Sequence, residues 1–367
     1  MKIAIDIRMT DSGGIGSYLS ALLPYFIKEN QCVLLGTKEQ LEPYKTENCR
    51  LLEYNEKCFS LKEMYSFPKN LLKEINECDV YYSPYCNIPG GIKIPVFTTI
   101  HDVVFLDVPG LAGKAGTLIR KYFYMRACKK SKAVFTVSNF SAERIQYHLK
   151  RALKNTPVIC TYNALPDWFK DETTNKSAGS AAVSMGAGSQ QPAPKDDVIL
   201  FVGNIKKHKG LSTLLTAFLQ AKKKGLSSKL VIVGNRDNFR TADNSIFEKI
   251  ETAPEGSVIF TGKVNQEKLK ETYQKARVLV QPSFYEGFGM PPLEALSLGT
   301  HVILSDIPVF REIYRDFPVT FFETGNASSL EEKLLKLDEI CSTKLEIPEI
   351  YSFSRTYSII HKTLEEK

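Results

Sequence analysis

Twelve short runs of this chain are apolar almost from end to end, and that pattern restricts the fold more than any other feature. Six lie in the first half: KIAIDIR (2–8), CVLLGTK (32–38), DVYYSP (79–84), PVFTTIHD (95–102), AVFTVS (133–138) and PVICTYN (157–163). Six lie in the second: VILFVG (198–203), KLVIVG (229–234), SVIFTG (257–262), RVLVQPS (277–283), HVILSD (301–306) and VTFFE (319–323). Strands exposed on one face alternate apolar and polar residues, whereas strands covered on both faces read as continuous apolar runs. Helix-patterned segments separate many of the runs. Leu211, Leu214, Leu215, Phe218 and Leu219, for example, form one stripe at helical spacing. Alternating strand and helix implies a doubly wound parallel sheet.

The rhythm breaks once. Residues 171–197 (DETTNKSAGSAAVSMGAGSQQPAPKDD) hold almost no large apolar side chain. They read as a flexible linker or loop, too poor in apolar surface to offset the entropy of ordering. Two α/β domains follow from this: a Rossmann-like domain over 1–170, the linker 171–197, and a second Rossmann-like domain over 198–348. A helix over 349–367 ends the chain. The length of 367 residues fits two domains. A cleft between two such sheets is the expected ligand site.

Three glycine-bearing loops follow strand ends. In MTDSGGIGSY, Gly14 and Gly16 give the backbone room to approach a phosphate, but Leu19 stands where a dinucleotide fingerprint needs its third glycine. A tight turn explains this loop equally well. In FVGNIKKHKG, Lys206, Lys207 and Lys209 lie between a strand end and a helix start, a placement that suits a diphosphate. A solvated charge cluster is the alternative. The third loop, SFYEGFGMPPLEAL, places Glu286 in a turn and Pro291 and Pro292 in the first turn of a helix. Glu294 is then expected in that first turn. Gly289 frees the backbone so that amides near Phe288 and Met290 can reach a ligand. Phosphate at a helix N-terminus, flanked by carboxylates that accept from hydroxyls, describes a nucleotide sugar. A helix-start acid that complements the dipole accounts for Glu294 but not for Glu286 or the glycines.

YEGFGMPPLEALSLGTHVI resembles the E-x7-E signature of retaining glycosyltransferases of family 4, which have the GT-B fold. GGIGSY, SPYCNIP (83–89), TIHDVVF (99–105), TVSNFSAERI (136–145), FVGNIKKHKG and FTGKVNQEKLKETYQKARVLVQPS (260–283) match in order. The resemblance covers the chain outside 171–197. It implies two Rossmann-like domains facing each other across a cleft, with the final helix returning to the N-terminal domain. It implies Glu294 on the donor ribose, Glu286 facing the donor sugar, and Lys209 on the diphosphate. His101 falls beside the reacting sugar. The family's second phosphate cation falls near Asn204 or Lys206, and Asn204 stands where many members have Arg. Transfer then proceeds by front-face attack, without a metal or other cofactor, from a GDP- or UDP-hexose to a glycan or lipid-linked acceptor. A nucleotide-sugar epimerase on the same fold and a non-catalytic subunit of a polysaccharide assembly complex are the alternatives.

Composition narrows the setting. Charged residues at 24% and apolar residues at 43% are those of a globular protein. No apolar run is long enough to span a bilayer, and the N-terminus turns polar too early for a signal peptide, so a cytoplasmic location is expected. The eight cysteines form no C-x-x-C pair and are expected as reduced thiols. The net charge of +7 is carried largely by 113–132 and 149–154. These segments are either solvated helix faces or a contact for an anionic membrane surface or a phosphate-bearing acceptor. No nucleic-acid-binding motif is present.

Overall fold

The computed structural model describes residues 1–169, 195–234, 245–340 and 344–366. The chain divides into two compact units. One comprises Met1–Pro166 and Pro348–Lys367, the other Asp167–Ile347.

In the N-terminal unit, β1 (Lys2–Asp6), β2 (Gln31–Gly36), β3 (Cys49–Glu53), β4 (Val80–Ser83), β5 (Val96–Thr99), β6 (Ser131–Thr136) and β7 (Val158–Cys160) form one sheet. Its order is β3-β2-β1-β4-β5-β6-β7, and every pairing is parallel. The six apolar runs read from this half are all strands. β3 is the addition. It lies at the sheet edge and only Leu52 of it is buried, so CRLLE carries too weak an apolar signal to be read alone. The helix Phe353–Glu365 packs in this unit, with Tyr357 against Tyr25 and Phe26 (5.8 and 5.1 Å between rings). Asn30 donates to the Tyr357 hydroxyl (3.0 Å), which in turn donates to Glu29 (2.9 Å).

In the C-terminal unit, β8 (Asp196–Val202), β9 (Lys229–Val233), β10 (Val258–Gly262), β11 (Ala276–Gln281), β12 (His301–Ser305) and β13 (Thr320–Phe322) form a second parallel sheet. Its order is β10-β9-β8-β11-β12-β13. β8 begins at Asp196, inside the stretch read as linker, because Asp196 pairs with Ala276 at the start of β11. Residues 170–194 of that stretch lie outside the described residues. The predicted helix stripe is present as Leu211–Lys223, with Leu211, Leu214, Leu215 and Phe218 buried against the sheet.

In both sheets the chain runs outward in one direction, returns to the centre and runs outward in the other. The reversal falls between β1 and β4 in one unit and between β8 and β11 in the other. Loops at the carboxyl ends of the two central strands then splay apart, and that crevice is where open α/β sheets bind ligands. Seven cysteines are free thiols, and Cys341 lies outside the described residues. No described helix is long and apolar enough to cross a membrane.

Candidate functional site

The C-terminal unit concentrates its chemistry where β8 and β11 end. Two backbone features fasten the loops that follow these strands to each other. Gly210 has φ 70°, and a Cβ there would lie 1.9 Å from the Pro282 carbonyl oxygen, so only glycine fits. The Phe284 amide donates to the His208 carbonyl (2.8 Å). Lys209 and Glu286, 77 residues apart, are thereby brought together. The Lys209 ammonium donates to both Glu286 carboxylate oxygens, at 2.8 and 2.7 Å. Glu286 is 7% exposed. Its Oε1 also accepts from Ser283 (2.7 Å) and from Gln281 (3.4 Å), which itself donates to Ser283 (3.2 Å). A carboxylate this buried is stable only because these donors replace water. Asn204 and Lys206 are exposed on the same loop. His208 is buried with its Nδ1 unpartnered. Burial, reinforced by Lys209, holds its imidazole down to about 4, so it stays neutral at physiological pH.

The helix after β11 runs Met290–Ser297, with Gly289 as N-cap at φ 85°. A Cβ on Gly289 would lie 2.4 Å from the Phe310 ring. The Gly289 carbonyl accepts from Tyr314 (2.5 Å). The helix therefore enters at a fixed angle, with Pro291 in its first turn and Phe288 buried just before it. Glu294 is not in the first turn, as the sequence reading placed it, but at the fifth helical residue. The prolines suggest a helix that begins at Pro291, but the left-handed Gly289 caps it and starts it at Met290. In the second turn Glu294 gains little from the helix dipole, and its environment is set instead by Tyr273. That fully buried hydroxyl donates to Glu294 Oε2 at 2.7 Å. Burial pushes the Glu294 carboxyl up to about 7, with the Tyr273 hydrogen bond pulling the other way.

In the N-terminal unit, the loop after β1 leads into the helix Gly13–Glu29. Gly14 is exposed, with open space where a Cβ would be. Gly16 differs: a Cβ there would lie 2.0 Å from the Thr10 carbonyl oxygen, so this glycine lets the helix pack on its own entry turn. His101 follows β5. Its Nε2 donates to the Pro84 carbonyl (2.9 Å), and its ring meets Tyr18 edge-on at 4.8 Å. Donation to a carbonyl fixes the Nε2–H tautomer and leaves Nδ1 as the acceptor. Burial holds the imidazole down to about 4. His101 is thus a neutral group at physiological pH.

Several site residues escaped the sequence reading. Tyr273, Ser283 and Gln281 orient the two glutamates. Their partners are known only once β11 and the helices around it are folded, although Gln281 and Ser283, polar residues at the end of a buried strand, were a usable signal. Arg8, Asp6 and Glu63 form a buried ionic group at the end of β1, joined by Asn87 (3.0 Å to Glu63). The charges ending KIAIDIR were the signal there. Among the described residues, no three His, Cys, Asp or Glu side chains gather as metal ligands would.

Residues 188–340 match the family described as glycosyl transferases group 1. The chain is 25% identical over 281 residues to the O-antigen chain mannosyltransferase B of Escherichia coli, covering 75% of this chain and 66% of that protein. It is 32% identical over 127 residues to a GDP-mannose:cellobiosyl-diphosphopolyprenol alpha-mannosyltransferase of Xanthomonas oryzae, covering 34% and 32%. It thus spans just under two thirds of the first relative and a third of the second. Among solved structures, Anabaena HepE in complex with UDP and glucose superposes over the whole of both chains with a TM-score of 0.70 at 15% identity.

Proposed function

We propose that this chain, which has the GT-B fold and carries a group 1 glycosyltransferase domain at 188–340, is a retaining mannosyltransferase. It uses GDP-mannose and a glycan or lipid-linked glycan acceptor. One observation carries the reading: the ion pair of half-buried Lys209 with buried Glu286 at the end of β8 and β11, beside the N-terminus of the helix Met290–Ser297. In a sugar diphosphate the anomeric carbon is one bond from a phosphate oxygen. A cation for that phosphate and a carboxylate for the sugar must therefore lie within a few ångströms of each other, as these two do. The activities of these two relatives favour mannose and a diphosphopolyprenol-linked acceptor.

In this reading Glu294, held by Tyr273, accepts from the ribose hydroxyls. Lys209 and the amides at Gly289 and Met290 face the diphosphate, with Lys206 or Asn204 as its second contact. Gly14 is proposed to give the donor room, and neutral His101, its Nε2–H given to Pro84, to accept from a sugar hydroxyl at Nδ1. The acceptor hydroxyl oxygen bonds to the anomeric carbon on the face the leaving group departs from. The bond from that carbon to the β-phosphate oxygen breaks, and its electron pair stays on the phosphate. The acceptor's proton passes to the same phosphate oxygen. The products are a mannoside of unchanged anomeric configuration and GDP. Negative charge grows on the β-phosphate as the bond breaks, so a preorganised lysine and helix N-terminus stabilise the transition state more than the ground state. Lys209 is proposed to supply the cation a metal would otherwise provide.

The test is incubation of the purified chain with a panel of nucleotide sugars. We expect GDP release to be fastest from GDP-mannose, and the first sugar seen by proton NMR to keep the donor's anomeric configuration. Release of an inverted sugar would refute retention, and conversion to a stereoisomeric nucleotide sugar would identify an epimerase.

A further inference from the structure

The helix Lys114–Lys130 carries six basic residues and no acidic one. It buries one face, with Phe123, Tyr124, Ala127 and Cys128 in the core of the N-terminal unit. Its opposite face is unusual, because Leu118 is 69% and Tyr122 43% exposed. These two residues are four apart, so they lie on the same side of the helix. The short helix Leu61–Tyr65 adds Leu61 and Tyr65, at 70% and 76% exposed, again four apart. The Tyr65 and Tyr122 side chains are close enough to interact, which brings the two helices together at the surface. Four large exposed side chains thus form one continuous patch rather than scattered single residues, which is the arrangement that marks an interaction surface.

The patch is held in place from beneath. Phe59 precedes the short helix with φ 65°, a strained value for a bulky residue. Its ring packs on Phe123 at 5.0 Å, and Phe123 in turn meets the Tyr122 ring at 5.8 Å. Next to Tyr122 lies a surface cavity of about 210 Å³ lined by Arg126, Lys129 and Lys130. Arg126 donates to the Ile88 and Pro89 carbonyls through one terminal nitrogen, while its Nε is buried without a partner.

We propose that this face docks on an anionic phospholipid bilayer. The apolar and tyrosine side chains enter the headgroup boundary, and the cavity of Arg126, Lys129 and Lys130 receives lipid phosphates. Charge complementarity selects this occupant. A helix with cations alone, interleaved with exposed leucine and tyrosine, matches a surface that is apolar inside and negative at its edge. The inference does not depend on the donor-site reading, because vesicle binding requires no sugar transfer.

The experiment is flotation of the full chain with vesicles of phosphatidylcholine alone and of phosphatidylcholine with phosphatidylglycerol. Binding is expected only to the second kind and should weaken steeply as salt is raised. Leu61→Glu with Leu118→Glu should cut the bound fraction about tenfold or more. Both positions are exposed, so the variant folds, and unchanged thermal unfolding verifies this. Lys129→Glu with Lys130→Glu should remove the preference for the anionic lipid. Equal binding to both vesicles, binding to neither, or an unaffected leucine variant would overturn the proposal. A concentration-dependent dimer that the leucine variant dissociates would assign the patch to a second copy of the chain instead.

Discussion

Replacing Lys209 by methionine keeps the length of the side chain and removes its charge. Glu286 is then left buried without its cation. Breaking a buried ion pair by deleting one partner costs about 3–5 kcal/mol. Here 21% of the Lys209 side chain is exposed, and Ser283 still donates to Glu286 at 2.7 Å. A cost below that range, about 2–3 kcal/mol, is therefore expected. In a unit of this size each kcal/mol lowers Tm by about 2–4 °C, which gives a fall of about 4–12 °C. The loss should reverse when the stranded charge is also removed: Lys209→Met with Glu286→Gln should recover at least half of it, because an unpaired charge is no longer buried. Turnover should not recover. Deleting a donor aimed at transition-state charge costs about 10²–10³ in kcat, and the double variant lacks both groups. Thermal unfolding and GDP release from GDP-mannose on the native chain, both singles and the double complete the cycle. A double variant no more stable than Lys209→Met would show that the pair does not hold the loops. Turnover of Lys209→Met within tenfold of native would show that the lysine does not act on the leaving group.

Other consequences follow from the two glutamates. Glu286→Gln should mainly lower kcat, since the sugar changes position and charge during transfer. KM should move less. A change in KM alone would remove Glu286 from the reacting end. Tyr273→Phe deletes the hydrogen bond that draws the Glu294 carboxyl down, so the pH above which nucleotide binds well should move up. An unchanged pH profile would make Tyr273 a packing residue only. The same carboxyl affects stability. Its folded pKa is raised from 4.5 to about 7. Its contribution is thus full below pH 4.5 and lost as pH rises through 7, by up to about 3 kcal/mol less a discount for partial exposure. Glu294→Gln should flatten the fall in stability across that window. A fall of unchanged steepness would assign it to another group.

Most of the twelve strands were legible because strands buried on both faces must be apolar throughout; β10 lies at an edge with Ile259 exposed and was legible only because that exposed residue is itself apolar. β3 was not legible: an edge strand with Arg50 and Glu53 exposed looks like a loop until β2 is beside it. Glycine and proline marked the loops after β8 and β11 because their backbone constraints are local. Gly210 and Gly289 show this, each left-handed and each crowded where a side chain would stand. What the sequence could not reveal was which groups meet. Lys209 and Glu286 were read as separate contacts, one for phosphate and one for sugar. The structure pairs them, because the order of strands in the sheet places β8 next to β11 although two strands intervene in the chain. Tyr273 was invisible for the same reason. It reads as one more buried aromatic in a helix, and its role depends on a carboxylate 21 residues away.

The end of β8 and β11 is proposed as a nucleoside-diphosphate site. Calorimetric titration of GDP into the native chain, Glu294→Gln and Lys209→Met tests it most directly, because it requires neither acceptor nor turnover. Saturable one-to-one binding to the native chain is expected, with an affinity at least about tenfold weaker in each variant, the usual consequence of losing a hydrogen bond to a charged group. Equal affinity in all three proteins, or no binding to the native chain by GDP or any other nucleoside diphosphate, would contradict it.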